Sequence, residues 1–533
     1  MYLAATRRSC VCAVAAAALT LVAASLAACG SASSASSPAP SAAPSAAPMK
    51  LKVMEFNIEY GGTQVSFAKV VEAVKKADPD VVGLEEAETN TARLARLAGY
   101  PYFSSGLQIV SRYPILEPSG AEGAYALIEV QPGHVVAISN VHLPSAPYGP
   151  NWIRDGKTAE QVVALENRVR VPAIQRQVEV LPRLAKQGIP AFVSGDFNAP
   201  SHLDYTAAAV GTRKEVKYIV EWPVSRAMAD AGFRDAYRDA HHDPVADPGL
   251  TWWAARPKVA GWNPTAKDPQ DRIDFVYAAG PSKTLSSVIV GEVGDPAVSI
   301  SVSPWPSDHR AVLSTFEVTP GPMPVLVAPD KLLITQGDPL VVTFHSPGKG
   351  GEKIVVVDAG PFPAGMGGPG PIDVVPAGAT GTIDGKVTIQ TGDLRPGGYA
   401  VQLATPADGT VLAKAPFWVA AKGATVKLAT DKRTYAPGEP IVVSWQDAPA
   451  NRWDWLGVYK APADPANDYY LIWQYTGGAS AGTVHGMPAG TLAMDGETTA
   501  GSPWPLPPGK YQVLYLLADA YESVAQTSFT VAK

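Results

Sequence analysis

The chain has 533 residues, a net charge of −6 and three cysteines. That length exceeds what one hydrophobic core supports and divides into several domains. The mild negative charge excludes a general affinity for polyanions, although a local basic face would still suffice for one. Residues 1–28 read as a leader and not as part of a fold. Arg7 and Arg8 form a charged start, and Ala13 to Leu26 is an apolar run too short and Ala-rich for a membrane span. All three cysteines, Cys10, Cys12 and Cys29, lie within the first 29 residues, so the exported chain is expected to hold no internal disulfide. Residues 29–49 are almost entirely Ser, Ala and Pro, with too few apolar side chains to build a core, and read as a tether.

Leu26-Ala-Ala-Cys29 followed by Gly30 resembles the bacterial lipoprotein box. The resemblance implies a lipidated Cys29 and a protein exported to the cell envelope or cell surface, anchored to the membrane there. From Leu51 the composition turns globular. Leu51 to Ile58 alternates as a strand that ends near Asn57 and Glu59. Phe67, Val70, Val71 and Val74 keep helical spacing, so Ser66 to Ala77 is predicted as an amphipathic helix with Ser66 as its N-cap. Asp80 to Glu86 reads as a buried strand ending in two carboxylates, Glu85 and Glu86. Further strands are expected over 107–110, 124–130 and 135–141, the last leading into His142. Glu160 to Lys186 is expected to be largely helical, interrupted near Pro172 and Pro182, with most of Arg168, Arg170, Arg176, Arg183 and Lys186 on a solvated face.

Ile189 to Ser201 organises this half of the chain. Ala191 to Val193 is a short buried strand that delivers Asp196 and Asn198 to its C-terminal edge. Residues two apart on an extended chain point the same way, so a carboxylate and an amide face one spot. Alone, Gly-Asp-Phe-Asn-Ala-Pro also reads as a turn. What favours a site is the recurrence of polar residues at other strand ends: Asn57, Glu59, Glu86, His142, Asp274, Asp308 and His309. Oxygen ligands hold a hard divalent cation, and histidines move protons or offset phosphate charge.

The order Phe-Asn-Ile58, Leu-Glu-Glu86, Asn-Val-His142, Gly-Asp-Phe-Asn198, Arg-Ile-Asp274 and Ser-Asp-His309 resembles the endonuclease/exonuclease/phosphatase superfamily, the deoxyribonuclease I-like fold. The resemblance covers about residues 51–318. It implies an α/β (α+β) four-layer sandwich over residues 50–320 and a phosphoester hydrolase using Mg²⁺ or Mn²⁺, with Ca²⁺ a further option. Glu86 would be the principal metal ligand, with Asn57 and Asp308 nearby, and Glu59 a weaker match beside them. Asp196 and Asn198 would orient water and phosphate. His309 would be general base or phosphate-binding histidine, steered by Asp274. His142 matches the histidine of the deoxyribonuclease I and sphingomyelinase branches, its acid partner unplaced. Glu85 stands where many members have Gln.

The last two-fifths is a tandem duplication. Gly337-Asp-Pro-Leu-Val-Val-Thr-Phe344 recurs as Gly438-Glu-Pro-Ile-Val-Val-Ser-Trp445, and Leu394-Arg-Pro-Gly-Gly-Tyr399 as Leu506-Pro-Pro-Gly-Lys-Tyr511. Short alternating strands and Pro/Gly turns predict two all-β sandwich domains, over 322–422 and 423–533, similar to immunoglobulin-like or SKICH-like modules. The aromatic stretches Trp453 to Tyr459 and Tyr469 to Tyr475 read first as sandwich core and second as a contact face. The expected partners are a phosphoester (small molecule, phospholipid headgroup or nucleic acid) and a membrane through Cys29, with the protein a monomer. An extracellular nuclease of the same fold is the alternative. A surface binding or adhesion protein with a degenerate catalytic domain is the rival of another class.

Overall fold

The computed structural model describes residues 46–533, except 119, 122, 261, 349–350, 360–371, 377–383, 406–408, 450, 452, 466–467, 469, 478–486, 497–503 and 518–519. The expected leader, Cys29 and most of the expected tether lie outside the described residues. Among the described residues no helix is long and apolar enough to cross a membrane.

Residues 46–323 build the four-layer sandwich. One sheet of seven strands centres on Met49–Asn57, flanked by the parallel strand Val81–Glu85 and the antiparallel strand Ala311–Val318. The second centres on His134–His142, Ala191–Asp196 and Asp274–Ala279. Between the sheets, alternate residues of both interlock: Leu51 and Val53 meet Ile138, Phe192 and Val276. The helices Phe67–Ala77 and Thr91–Ala98 cover the outer face of the first sheet. Ala159–Val169, Val171–Lys186 and Pro223–Asp230 cover the second. Ser66 stands at the N-cap position but accepts no side-chain hydrogen bond there, whereas Thr158 forms a full capping box with Gln161.

Two local expectations are corrected. The helical region does break at Pro172, which sits in the first turn of a new helix where a missing N–H costs nothing. Pro182 does not break it and lies inside Val171–Lys186. Arg170 is not on a solvated face: it is fully buried, its guanidinium donating to Glu166 at 2.8 Å and to the carbonyls of Ser145 and Pro147. The second sheet takes in Gly321–Pro322, which pairs with Val135 and His134.

Each repeat is a three-stranded sheet packed on a five-stranded one, with matching strand order in both copies. The correspondence extends to side chains. Tyr399 donates its hydroxyl to the Arg395 carbonyl and stacks on Phe417 at 5.5 Å; Tyr511 donates to the Pro507 carbonyl and stacks on Phe529 at 5.5 Å. Such a tyrosine ties a loop to the sandwich four residues upstream. Trp453, Trp455, Tyr459 and Tyr475 are buried, so this aromatic run is mainly core, as its first reading expected; Tyr469 lies outside the described residues. Leu326 and Ala328, from the first strand of the first repeat, pack into the core beneath the second sheet.

Candidate active site

The site is assembled by strand register. His142, Asp196 and Asp274 stand opposite one another on three adjacent strands of the second sheet. Asn57 and Glu85 stand opposite one another on two strands of the first. Two glycines let the backbones meet. Gly195 has φ +152°, and a Cβ there would lie 2.0 Å from the Val141 carbonyl oxygen. A Cβ on Gly83 would lie 2.0 Å from Asn140 Oδ1, so glycine lets the second sheet's Asn140 reach across and donate to the Leu84 carbonyl at 2.7 Å. Glu59, Tyr60, Glu86 and Asn198 all have left-handed φ values of 45–55°. Non-glycine residues held so are uncommon, and the strain concentrates here at the ends of the strands that carry the chemistry.

Asp196 is the hub. Its Oδ1 accepts from the Asn198 N–H at 2.8 Å, and its Oδ2 accepts from the amides of Asn198 at 3.0 Å and Asn57 at 3.2 Å. The same Oδ2 lies 3.6 Å from His142 Nε2 and 3.8 Å from His309 Nε2. His309 Nδ1 lies 3.0 and 3.1 Å from the two Asp274 oxygens. Asp274 is held by the hydroxyl of Thr251, which accepts from the N–H groups of Ile273 and Asp274. Burial drives His309 toward its neutral form, but the carboxylates of Asp274, Asp196 and Asp308 outweigh it and hold the imidazole pKa well above its ordinary value. Burial, then Asp274, raises Asp196.

A second cluster lies beside this one. Glu86 accepts from Asn57 Nδ2 at 3.3 Å and from the Tyr60 N–H at 3.0 Å. Asp308 accepts from Trp252 Nε1 at 3.3 Å, and its own N–H donates to Glu59 Oε2 at 3.1 Å. Glu59 Oε1 pairs with Arg256 at 2.6 Å. Burial raises Glu59, and the neighbouring charges of Asp308 and Glu86 raise it further. Burial also raises Asp308, with Glu86 adding to it. Hard oxygen donors that repel one another suit a divalent cation. The residues present therefore fit the implied metal at Glu86 and Asp308. Asn57 Oδ1 is taken by the Glu59 N–H at 3.1 Å, so this amide turns its NH₂ to the site and orients both carboxylates. Asp196, Asp274 and His309 also place donor atoms within 4.8 Å of one another. There the imidazole already engages both Asp274 oxygens, which leaves that trio suited to proton transfer.

All eight sequence-predicted site residues are thus in these two clusters. Sequence reasoning missed Trp252, whose backbone bridges Asp271 and His309, and Arg256. It also missed Glu55 as the neighbour of Glu85. Both are fully buried, carboxyl against carboxyl, and the charge of His142 acts on Glu85. Their shared position on the inner face follows from strand alternation, a signal present in the sequence.

Residues 54–309 match the model of the Endonuclease/Exonuclease/phosphatase family. This part of the chain is therefore an endonuclease/exonuclease/phosphatase family domain, and its chemistry is phosphoester hydrolysis in general. An uncharacterized protein of Caenorhabditis elegans is 29% identical over 291 residues, 50% of this chain and 91% of that protein. Among solved structures, D. rerio TDP2 with a single-strand DNA product is similar at 16% identity, covering 50% of this chain and 98% of that one, with a TM-score of 0.30. The mannosyl-6-phosphatase Bt3783 of Bacteroides thetaiotaomicron is similar at 14% identity, covering 50% and 99%, with a TM-score of 0.28.

Proposed function

We propose that the protein is an exported, divalent-metal-dependent phosphoester hydrolase that attacks phosphorus with water and forms no covalent enzyme intermediate. The observation that carries this is Asp196 Oδ2, which sits between two histidine Nε2 atoms at 3.6 and 3.8 Å while Asp274 grips the far side of His309. Asp196, fixed by the amides of Asn198 and Asn57, is placed to orient a water and take its proton. His309, kept protonated by its carboxylates, offsets charge on the phosphoryl oxygens. His142 stands on the opposite side of Asp196 and does the same or protonates the leaving oxygen. Glu86 and Asp308 would hold Mg²⁺ or Mn²⁺, which when bound neutralises phosphoryl charge.

The tether and mild acidity favour a small or lipid phosphoester. With Arg170 withdrawn into the interior, the basic helix face that favoured nucleic acid is weaker. A screen of a bis-aryl phosphodiester, an aryl phosphate, DNA, RNA and sphingomyelin, with and without Mg²⁺ or Mn²⁺, tests this reading. No metal-dependent turnover of any of them would sink it and leave the surface-binding rival. Lipid anchoring through Cys29 is part of the same proposal. Cys29→Ser should release the protein from the membrane fraction, and a soluble wild type with its N-terminus elsewhere would refute the anchor.

A further inference from the structure

The two repeats serve as internal controls for each other, because their strand registers match. In the first, Lys353 pairs with Ala404, and the hairpin closes from Thr405 to Thr410 before Val411. In the second, Trp455 pairs with Leu516, and the hairpin closes from Leu517 to Glu522 before Ser523. Trp455 thus stands where the first repeat has Lys353, and Tyr521 where it has Gly409. The substitution has a structural consequence. Trp455 Nε1 donates to the Ala520 carbonyl at 3.1 Å, and its ring meets Tyr521 edge-on at 5.7 Å. Ala520 and Tyr521 are thereby held by Trp455, and Tyr521 faces the catalytic domain, 6.4 Å between ring centroids from Tyr60.

Tyr60 is no ordinary surface residue. Its backbone N–H donates to Glu86 Oε2 at 3.0 Å, and the N–H of Gly61 donates to the Glu86 carbonyl at 2.7 Å. Tyr60 as a residue remains 44% exposed despite the neighbouring Tyr521. A contact serving only to glue two domains would bury both rings. An exposed Tyr60 on the loop bonded to Glu86, set against a half-buried Tyr521 held from the other side by Trp455, is pre-organised for a ligand.

We propose that Tyr521 of the second repeat and Tyr60 form a wall at the mouth of the site, which binds the ring-bearing part of a phosphoester by stacking; this rests on the phosphoester-hydrolase reading. The second repeat is then a specificity element, and the first, with Gly409 at the same place, is not. Stacking needs a flat apolar face, which a nucleobase or a sugar ring supplies.

The test uses the full chain with Mg²⁺ and glycerol, glucose and adenosine phosphoesters, each offered as monoester and as methyl diester. Tyr521→Ala should lower kcat/KM for a ring-bearing ester relative to the glycerol ester by roughly three- to tenfold, mostly through KM, the usual worth of one aromatic contact. Tyr521→Phe should restore the ratio. The ester whose ratio falls, glucose or adenosine, identifies the ring. Should Tyr521→Ala not fold, Tyr60→Ala carries the same test from the catalytic side. An unchanged ratio in a wild type that turns the esters over overturns the wall alone. Absence of wild-type turnover on every ester overturns the hydrolase reading and the wall with it.

Discussion

Two fully buried charge clusters lie in the catalytic domain, and they are built on opposite plans. In one, Arg272 pairs with both Asp204 and Asp235 while Arg238 pairs with Asp204, guanidinium to carboxylate at 2.7–3.0 Å. In the other, Asp196 and Asp274 face one buried imidazole, His309, and the buried carboxyls of Glu55 and Glu85 add like charge beside them. Burial opposes ionisation in both. In the first, Arg272 and Arg238 outweigh it and Asp204 is lowered. In the second, burial and like charge act together and Asp196 is raised. Matched charge staples a fold; unmatched charge, held in place by strands with left-handed ends, marks where a cation and a phosphate belong.

The largest expected effect comes from breaking the matched cluster. Arg272→Met leaves Asp204 with Arg238 alone and takes from Asp235 its arginine side chain. It should cost about 3–5 kcal/mol, the price of an uncompensated buried charge. Thermal unfolding should show a large drop in the catalytic transition. A variant as stable as the wild type would show that the cluster is not a staple.

Next comes His309→Ala, which should lower kcat by roughly 10²-fold or more, about 3 kcal/mol of barrier. Its drop in Tm should be smaller than that of Arg272→Met, because the acids left behind can take up protons. Asp274→Asn should do less harm to kcat than His309→Ala and move the alkaline limb of the pH profile to lower pH. The bond from Asp274 to Nδ1 supports the charged imidazole, so its loss lowers the His309 pKa and the protonated form is lost at lower pH. Equal Tm losses for His309 and Arg272 variants would erase the distinction between the clusters.

Glu86→Ala should raise the Mg²⁺ concentration needed for half-maximal rate by about tenfold or more, the order expected for loss of a ligand or its close support. Calorimetric titration with Mg²⁺ alone should show the same weakening, with His309→Ala little changed. Metal binding lost in His309→Ala and kept in Glu86→Ala would instead place the cation among Asp196, Asp274 and His309.

Much of this was legible in the sequence for a physical reason. Period-two alternation places Asn57, Asp196 and Asp274 on inner faces and at strand ends, so motif order alone collects the ligands and the imidazole. The duplicated tyrosine corners were equally visible, as repeated Pro-Gly-x-Tyr segments. What was not legible depends on which strands neighbour each other. Arg170 reads as a solvated helix charge until Glu166, one turn back, is found buried beside it. Arg256 and Trp252 come from a loop whose path no periodicity fixes. The meeting of Tyr521 with Tyr60 joins residues more than four hundred positions apart, through a hairpin tip that only the pairing of the two repeats singles out.

The smallest effect predicted concerns Glu85, and it sharpens the comparison from the stability side. Burial first, with the nearby Asp196 and Asp274 adding to it, raises Glu85 from an ordinary 4.5 to about 8. The folded domain therefore keeps a proton there that the unfolded chain has lost. Where the native state binds more protons, stability falls as pH rises. The contribution is fully present below about 4.5 and is lost as pH climbs through about 8. Glu85→Gln keeps the shape and cannot ionise. It should match the wild type near pH 5 and exceed it above pH 8 by about 1–2 kcal/mol, the usual cost of burying a poorly compensated polar group. For a domain of this size that is roughly 2–8 °C in Tm. Melting curves of both proteins from pH 5 to 9 would show the gap open with pH. Parallel curves would mean that Glu85 has a cationic partner in the folded state, and that the two buried clusters are more alike than their geometry indicates.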